Sequence, residues 1–172
     1  MHEFFHIKIN AKNNYDFGFK LGESLSERIK LRVKKNKLVY AKRGAKSFNS
    51  LVKKSKKFLP ELRKEFPELI LELEGMSEGA EIPFTDLLVL NCEEEILDFF
   101  IPHCTSIATY TKNKEIIIGH NDDWLPEYRK NGMVLVEGRI NSNKFLALTY
   151  VGSLPGTSCG LNSKGVAFTV NS

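Results

Sequence analysis

The hydrophobic periodicity changes near residue 102, and this change constrains the fold more than any other feature of the sequence. Upstream of it, apolar side chains recur at every fourth position, as in Phe17, Leu21, Leu25 and Ile29. That spacing is typical of an amphipathic helix. Downstream, the period falls to two and β-branched residues become frequent, which is typical of strands. Helices followed by strands indicate the α+β class, with an N-terminal helical segment and an antiparallel sheet.

Four helices are predicted upstream of the boundary. The first begins at about residue 14, where Asn14 or Asp16 can cap it, and the second lies within residues 48–58. Pro83 can open the fourth helix, whose inward positions include Cys92 as a small buried hydrophobe.

The third helix carries its own proline and glycine signals. Pro60 can open it, and Pro67 predicts a kink or a restart. Gly75 and Gly79 fit the fraying end of this helix, because glycine is a weak helix former.

Three β-hairpins are predicted downstream of the boundary. Each pairs two runs of alternating hydrophobicity around a short polar loop, and Gly165 can supply the left-handed backbone that the last loop needs. The predicted strand pairs are 105–111 with 115–120, 133–140 with 144–151, and 157–161 with 166–171.

Charge is distributed unevenly along the 172 residues. Residues 28–64 hold fifteen Lys and Arg and one acid, whereas residues 65–98 hold eleven Asp and Glu and no base. A basic block can bind nucleic acid. However, this block has few aromatic residues and no recognition motif, so we favour two helical faces that partly neutralise each other and predict no nucleic-acid partner.

Composition argues against a membrane protein and a disulfide scaffold. The longest apolar runs fall well short of the ~20 residues of a membrane span, and the start, MHEFFHIKINAKNN, has no signal-peptide core. A cytoplasmic location without membrane contact is therefore expected. Three cysteines without regular spacing predict neither a disulfide framework nor a metal site.

Cys104 stands at the first position of a predicted strand. If Thr111 pairs with Glu115, Cys104 lies opposite Asp122, and a register longer by one residue places it opposite Asp123. Opposed Cβ atoms lie ~5 Å apart in an antiparallel pair, so either register brings a carboxylate near the thiol. A strand cysteine is usually core, and core remains the more common case here, although the polar residues that follow this one and the proline shortly before it make Cys104 a candidate nucleophile.

Several motifs in this order resemble the acyl-coenzyme A:6-aminopenicillanic acid acyltransferase family, which is the peptidase C45 group of N-terminal-nucleophile (Ntn) hydrolases. The resemblance extends over nearly the whole chain and implies the αββα sandwich of that superfamily. The segments that carry it are DFGFKLGESLSERI, FPELILELEGMSEGAEIPFTDLLVLNCEEE, CTS, GHNDDW and GLNSKGVAFTVN.

The resemblance implies that the chain cuts itself at the His103–Cys104 bond. Cys104 would then be both the nucleophile and, through its new α-amine, the base, since a free α-amine has a reference pKa of ~8. His103 departs from the glycine common at this place in the family, and its bulk could slow the cleavage.

The resemblance also implies roles for the GHNDDW segment. Its catalytic aspartate carries over to Asp123, whereas Asp122 falls where the family often has Trp. His120 stands at the family's Gln and could contact substrate, Asn121 could steady the turn, and Trp124 could line a pocket. A hairpin histidine without function and a core tryptophan are the alternatives.

The predicted enzyme acts on a small-molecule amide or thioester through an acyl-cysteine intermediate. No cofactor is expected, although a coenzyme A thioester could donate the acyl group by analogy with the family. Residues 1–103 are expected to form a helical segment and residues 104–172 the start of the Ntn sheet, together within one structural domain.

The chain stops inside or just after a strand, so we expect a C-terminal segment or a complementing chain to complete the sheet. Without it the chain should be inactive. The alternative function is a non-catalytic or truncated relative that serves as a binding or scaffold module.

Overall fold

The computed structural model describes residues 5–42, 47–97, 104–123 and 132–171. It confirms the α+β class, with helices before strands along most of the chain. The helices are α1 Asn14–Lys42, α2 Phe48–Ser55, α3 Leu59–Glu65, α4 Pro67–Ala80, α5 Phe84–Asn91 and α6 Glu93–Ile96, with a 3₁₀ turn at Lys56–Phe58. The strands are β1 Phe5–Ala11, β2 Thr105–Tyr110, β3 Ile116–Asn121, β4 Met133–Ile140, β5 Asn143–Tyr150, β6 Cys159–Asn162 and β7 Ala167–Thr169.

The described strands form two sheets. Strands β1-β4-β5-β6-β7 lie side by side in a five-stranded sheet, and β2 pairs with β3 in a separate antiparallel hairpin. All three predicted hairpins are confirmed, with ends within one or two residues of the predicted bounds in most strands. The last loop follows the expected chemistry, because Asn162 Oδ1 accepts from two backbone N–H groups and Gly165 has a φ of 81°.

Strand β1 was absent from the sequence prediction. It pairs in parallel with β4, so the sheet is mixed and not wholly antiparallel, and the first segment of the chain is not wholly helical. Its sequence FHIKINA alternates polar and apolar residues, which is a strand signal. Lys8 on this edge strand forms an ion pair with Glu137 on its neighbour at 2.5 Å.

Two glycine pairs let α1 and α4 pack closely. A Cβ atom on Gly18 or Gly22 would overlap the backbone of α4, and one on Gly75 or Gly79 would overlap the backbone of α1. The prediction that Gly75 and Gly79 mark a fraying end was therefore wrong. The helix continues to Ala80. Glycine is needed at these two positions because the backbones of α1 and α4 approach each other there and leave no room for a Cβ atom.

The ends of the helices give one further correction. Asn13, not Asn14 or Asp16, caps α1, because its Oδ1 accepts from the Asp16 N–H at 2.8 Å. Pro67 does restart the helix: the helical conformation is interrupted at Phe66, and α4 begins at Pro67.

The core lies between the helices and one face of the five-stranded sheet. The predicted α1 stripe is buried and packs with side chains from α4, α5 and β4, while Cys92 is a buried hydrophobe as predicted. The fully buried members include Phe17, Leu21, Ile29, Met76, Leu87, Val134 and Val136. Among the described residues, no helix combines the length and apolarity needed to cross a bilayer.

Ion pairs join the basic and acidic blocks, which confirms their partial neutralisation. Lys30 pairs with Glu81 at 3.0 Å, and Arg63 with Glu74 at 2.7 Å. These contacts are solvent-exposed, so each contributes little to the stability of the fold. The interpretation as solvated faces fails for one pair, Arg32 with Glu93, which is buried and lies beside the candidate site.

Candidate functional site

The β2–β3 hairpin sets the register of the candidate site. The Thr111 N–H donates to the Glu115 carbonyl at 2.8 Å, and Thr105 pairs with Asn121 at the other end of the ladder. The shorter of the two predicted registers is therefore present. It carries Cys104, one residue before β2, to the position beside Asp122.

The Cys104 thiol faces the Asp122 carboxylate. The Cys104 Sγ and Asp122 Oδ1 atoms lie 4.0 Å apart, in a long sulfur–oxygen hydrogen bond, and both residues are partly buried. A carboxylate at this distance can orient a thiol, a nearby amine or a bridging water.

Tyr150, at the end of β5, fixes that carboxylate from the other side. Its hydroxyl donates to Asp122 Oδ1 at 2.5 Å, which is short and typical of a charge-assisted bond. Burial, followed by the hydrogen bond to Asp122, raises the pKa of Tyr150 well above its ordinary value. Tyr150 is therefore a neutral donor at any physiological pH.

Arg32 connects this wall of the site to α1. Its guanidinium donates to the Val151 carbonyl at 2.7 Å, to Ser153 Oγ at 2.8 Å and to Glu93 Oε1 at 2.7 Å. The same group lies 5.6 Å from the Tyr150 ring centroid, within cation–π range. The buried charge is thus paired with Glu93 and hydrogen-bonded, as a stable buried arginine requires.

His120, on β3 of the hairpin, faces the second carboxylate oxygen of Asp122. Its side chain is 7% exposed, and its Nε2 atom is 4.0 Å from Asp122 Oδ2. Its Nδ1 atom is 3.1 Å from Ser106 Oγ, which also contacts Thr169 and Asn171 near the edge of the large sheet. These contacts join the hairpin to β7.

Asp123 and Asn121 bond to each other. The Asn121 side-chain amide donates to Asp123 Oδ1 at 2.8 Å, and both residues are exposed. The structure thus brings Asp122, and not Asp123, to the thiol, although the family resemblance assigned the catalytic carboxylate to Asp123. A catalytic role for Asp123 stays a prediction, as does the steadying role of Asn121. His103, Trp124 and the scissile bond lie outside the described residues.

A cavity of about 320 Å³ opens beside the thiol. Cys104, Asp122 and Tyr150 line one side of it, and Glu94 and Glu95 line another. Burial raises the pKa of Glu94, with further contributions from the negative charges of Glu95 and Asp122. A larger groove of about 440 Å³, lined in part by Glu72 and Phe168, shares Gly156 with this cavity but has no cysteine in its lining.

The three cysteines have different environments, and all three are free. Burial raises the pKa of Cys92 to about 11, so that thiol is inert at neutral pH. Cys159 on β6 is partly buried and does not line the cavity beside Cys104. Within the described ranges, no cluster of three or more His, Cys, Asp or Glu side chains is placed to hold a metal ion.

Sequence reasoning missed Tyr150 and Arg32. Both lie far from Cys104 along the chain, in a strand end and a helix whose local patterns indicate only burial. A buried arginine and a tyrosine next to a turn offer no signal by themselves. Their meaning appears only when the fold places them beside Asp122.

Comparisons with known proteins support the resemblance seen in the motifs. Residues 109–172 match the sequence model of the family described as acyl-coenzyme A:6-aminopenicillanic acid acyl-transferase. Over 184 aligned residues, the chain is 28% identical to the β-alanyl-dopamine/carcinine hydrolase of Drosophila melanogaster. The alignment covers 92% of this chain and 46% of that protein, so the chain spans about half the length of the curated relative it matches. The predicted resemblance to the C45 family is thereby confirmed.

Proposed function

We propose that this chain is the nucleophile-bearing part of an Ntn cysteine amidohydrolase or acyltransferase that matures by cleavage at the His103–Cys104 bond. The family match and the hydrolase relative support an acyltransferase or amidohydrolase in general. The observation that carries the cysteine mechanism is the contact between the Cys104 thiol and the Asp122 carboxylate, at 4.0 Å, on the wall of a cavity.

Maturation begins with attack of the Cys104 thiolate on the His103 carbonyl. The peptide C–N bond breaks as the C–S bond forms, the nitrogen leaves as an amine, and water then hydrolyses the thioester. The product has a cysteine with a free α-amine, which takes the thiol proton in every later turnover. An amide substrate is then attacked in the same way, and water or a second amine accepts the acyl group.

Asp122 is the carboxylate that we propose to act beside the nucleophile. Its Oδ1 atom is held by Tyr150 and also faces the thiol, which gives it one orientation toward Cys104. Asp123, predicted to be catalytic from the resemblance, would instead brace the strand end through Asn121. His103 contributes the carbonyl that is attacked, and Trp124 is proposed to line the pocket.

The proposed substrate is a small-molecule amide or acyl compound. The relative's name describes hydrolysis of β-alanyl-dopamine and carcinine. A cavity of about 320 Å³ lies at the small end of the range for such ligands. No cofactor takes part in the proposed steps, and a coenzyme A thioester is a candidate acyl donor for the transfer reaction.

We further propose that a C-terminal segment or a second chain completes the fold. The β2–β3 hairpin exposes large apolar side chains on both of its faces, Tyr110 and Ile116 on one and Ile107 on the other, and each of the three is more than 60% exposed. Monomeric proteins rarely leave such a patch in water. We expect the completed protein to work in the cytoplasm, as predicted from the sequence.

Trapping of the acyl intermediate tests this function. The completed protein, with its complementing segment or chain, is incubated with β-alanyl-dopamine and quenched in acid, and the mass of the peptide that contains Cys104 is measured by mass spectrometry. We expect an acyl mass increment on Cys104 that is absent from Cys104→Ala and retained in the matched control Cys159→Ala. An increment on another residue, or turnover by Cys104→Ala, would contradict the proposal.

A further inference from the structure

His120 has a fixed orientation that the mechanism so far does not use. Its ring is almost fully buried, with Nδ1 directed at Ser106 Oγ and Nε2 directed at Asp122 Oδ2. Nε2 is buried and has no hydrogen-bond partner in the described part of the chain. A buried nitrogen without a partner is costly, which suggests that this atom gains a proton or a ligand when the site functions.

The Ser106 hydroxyl determines which ring nitrogen carries the proton. A hydroxyl has one proton to donate, and Ser106 donates it to Asn171 Oδ1 at 2.8 Å. Ser106 Oγ can then only accept from its other neighbours, among them His120 Nδ1 at 3.1 Å. In the neutral ring, therefore, Nδ1 holds the hydrogen and Nε2 presents its lone pair toward Asp122.

Asp122 lies between this lone pair and the thiol. One carboxylate oxygen is 4.0 Å from Cys104 Sγ, and the other is 4.0 Å from His120 Nε2. Two acceptors facing each other attract a proton to the space between them. A protonated His120 would form an ion pair with Asp122 and would bring a positive charge toward the thiol.

We infer that His120 is the proton acceptor for Cys104 while the chain is still unbroken. This inference rests on the proposed function, because before cleavage Cys104 has no free amine to act as its base. The S–H bond of Cys104 breaks to leave a thiolate as an O–H bond forms at Asp122 Oδ1. The carboxyl group then turns about its Cβ–Cγ bond, and this O–H bond breaks as an N–H bond forms at His120 Nε2. No electrons are exchanged, and the products are a thiolate and an imidazolium with the carboxylate between them.

The other charges near this pair do not replace His120. Asp122 accepts a hydrogen bond from the neutral Tyr150 hydroxyl, and Glu94 adds negative charge to the same region. The Arg32 charge is directed toward Glu93 and the chain segment after β5. The polar side chains that approach His120 from β2, from β7 and from the residues just after β7 are uncharged hydroxyl and amide groups, so among the described residues His120 is the basic side chain that faces Asp122.

The reactivity of the thiol measures this coupling directly. The chain is synthesised in a cell-free reaction and alkylated at once with iodoacetamide between about pH 5 and about pH 9, the range that brackets imidazole titration. Peptide mass mapping separates Cys104 from Cys92 and Cys159. It also identifies unbroken molecules, because only they yield a peptide that spans His103–Cys104.

We expect His120→Gln to move the rise in Cys104 alkylation to higher pH and to lower the rate at pH 7 by about tenfold, because the thiol then lacks its proton acceptor and less thiolate is present to react. Ser106→Ala should give a smaller change in the same direction, because the ring remains but its tautomer is no longer fixed. His6→Gln is the matched control, because His6 is a half-exposed imidazole on β1 that faces Glu137, and its profile should equal that of the native chain.

Superimposable profiles for the native chain and His120→Gln would overturn the inference. The measurement needs neither substrate nor cleavage, so it is separable from the proposed function. If the chain never breaks even in the completed protein, a profile that depends on His120 would retain the inference and refute the proposed cleavage mechanism. A chain that is cleaved and hydrolyses substrate, but whose alkylation profile does not depend on His120, would support the proposed function and overturn the inference.

Discussion

The Tyr150 hydroxyl and the Cys104 thiol both approach the same oxygen of Asp122. Tyr150 donates to Asp122 Oδ1 at 2.5 Å, and the Cys104 Sγ atom lies 4.0 Å from it. The orientation of the proposed catalytic carboxylate is thus determined by the end of β5 as well as by its own hairpin. Since Arg32 lies under the Tyr150 ring, the helical layer also contributes to that orientation.

Tyr150→Phe should weaken the site without destroying the fold. The change removes one hydrogen bond to a charged group, which stabilises proteins by about 1.5–3 kcal/mol. Without the Tyr150 donor, the negative charge of Asp122 is less compensated. It then repels a thiolate on Cys104 more strongly, so less thiolate forms. We expect slower Cys104 alkylation at pH 7, measured with iodoacetamide, while the control Tyr110→Phe, at a 74% exposed tyrosine, behaves as the native chain. An unchanged Cys104 rate in Tyr150→Phe would contradict this account.

Glu93→Ala should destabilise the chain strongly. Glu93 pairs with Arg32 at 2.7 Å, and both side chains are less than 10% exposed. Removal of one partner from a buried ion pair costs about 3–5 kcal/mol, because the remaining charge stays buried. Urea unfolding should show this loss. The matched change Glu95→Ala, at an exposed position of the same short helix, should alter the free energy of unfolding by less than about 0.5 kcal/mol. Equal effects of the two changes would refute the structural role of the pair.

Gly22→Ala should separate α1 from α4. A methyl group at this position would overlap the Met76 carbonyl, and a backbone atom cannot rotate away as a side chain can. Alanine improves helix propensity by about 1 kcal/mol over glycine, whereas overpacking costs about 1–3 kcal/mol. We therefore expect a net loss in thermal stability, measured by circular dichroism. Ser24→Ala, on the exposed side of the same helix, is the control and should be neutral or slightly stabilising. A stabilised Gly22→Ala variant would show that the helices do not approach closely there.

Glu72 should make stability depend on pH. Burial raises its pKa from 4.5 to about 7, and the hydrogen bond from Asn14 opposes this only in part. Between about pH 4.5 and about pH 7 the unfolded chain therefore binds fewer protons at this site than the folded chain, so stability falls as pH rises through that window and is level above it. The increase in the pKa of Glu72 corresponds to a loss of about 3 kcal/mol in the free energy of unfolding across this window.

Glu72→Gln should remove this dependence and stabilise the chain at pH 8, as measured by urea unfolding at several pH values. Glu68→Gln, at an exposed position of the same helix, should leave the slope as it is. A native chain whose stability rises between pH 5 and pH 7, with no change in that slope in Glu72→Gln, would contradict the assignment.

The sequence predicts the local parts of this fold well. The three hairpins follow from alternation and turn residues, and the position of Cys104 beside a carboxylate follows from counting back from the Thr111–Glu115 turn. Proline spacing likewise predicts the restart at Pro67. These features are determined by residues that are neighbours along the chain.

Features determined by distant residues were missed or misassigned. Strand β1 finds its partner β4 more than a hundred residues away, and Gly75 and Gly79 are explained only by the α1 backbone against them. The register of the hairpin is a local feature by contrast: it places Asp122 beside the thiol, whereas the resemblance assigned that place to Asp123, whose catalytic role stays a prediction. Tyr150 lies beside Asp122 because the fold brings the end of β5 to the end of the β2–β3 hairpin, and no local sequence motif predicts that arrangement.

The intact mass of the purified protein tests the central claim most directly. The account predicts that the native chain breaks between His103 and Cys104, so that one fragment begins with the cysteine, and that Cys104→Ala remains whole while Cys159→Ala breaks like the native chain. A native protein that stays unbroken yet turns over substrate, or a Cys104→Ala variant that breaks at the same bond, would contradict it.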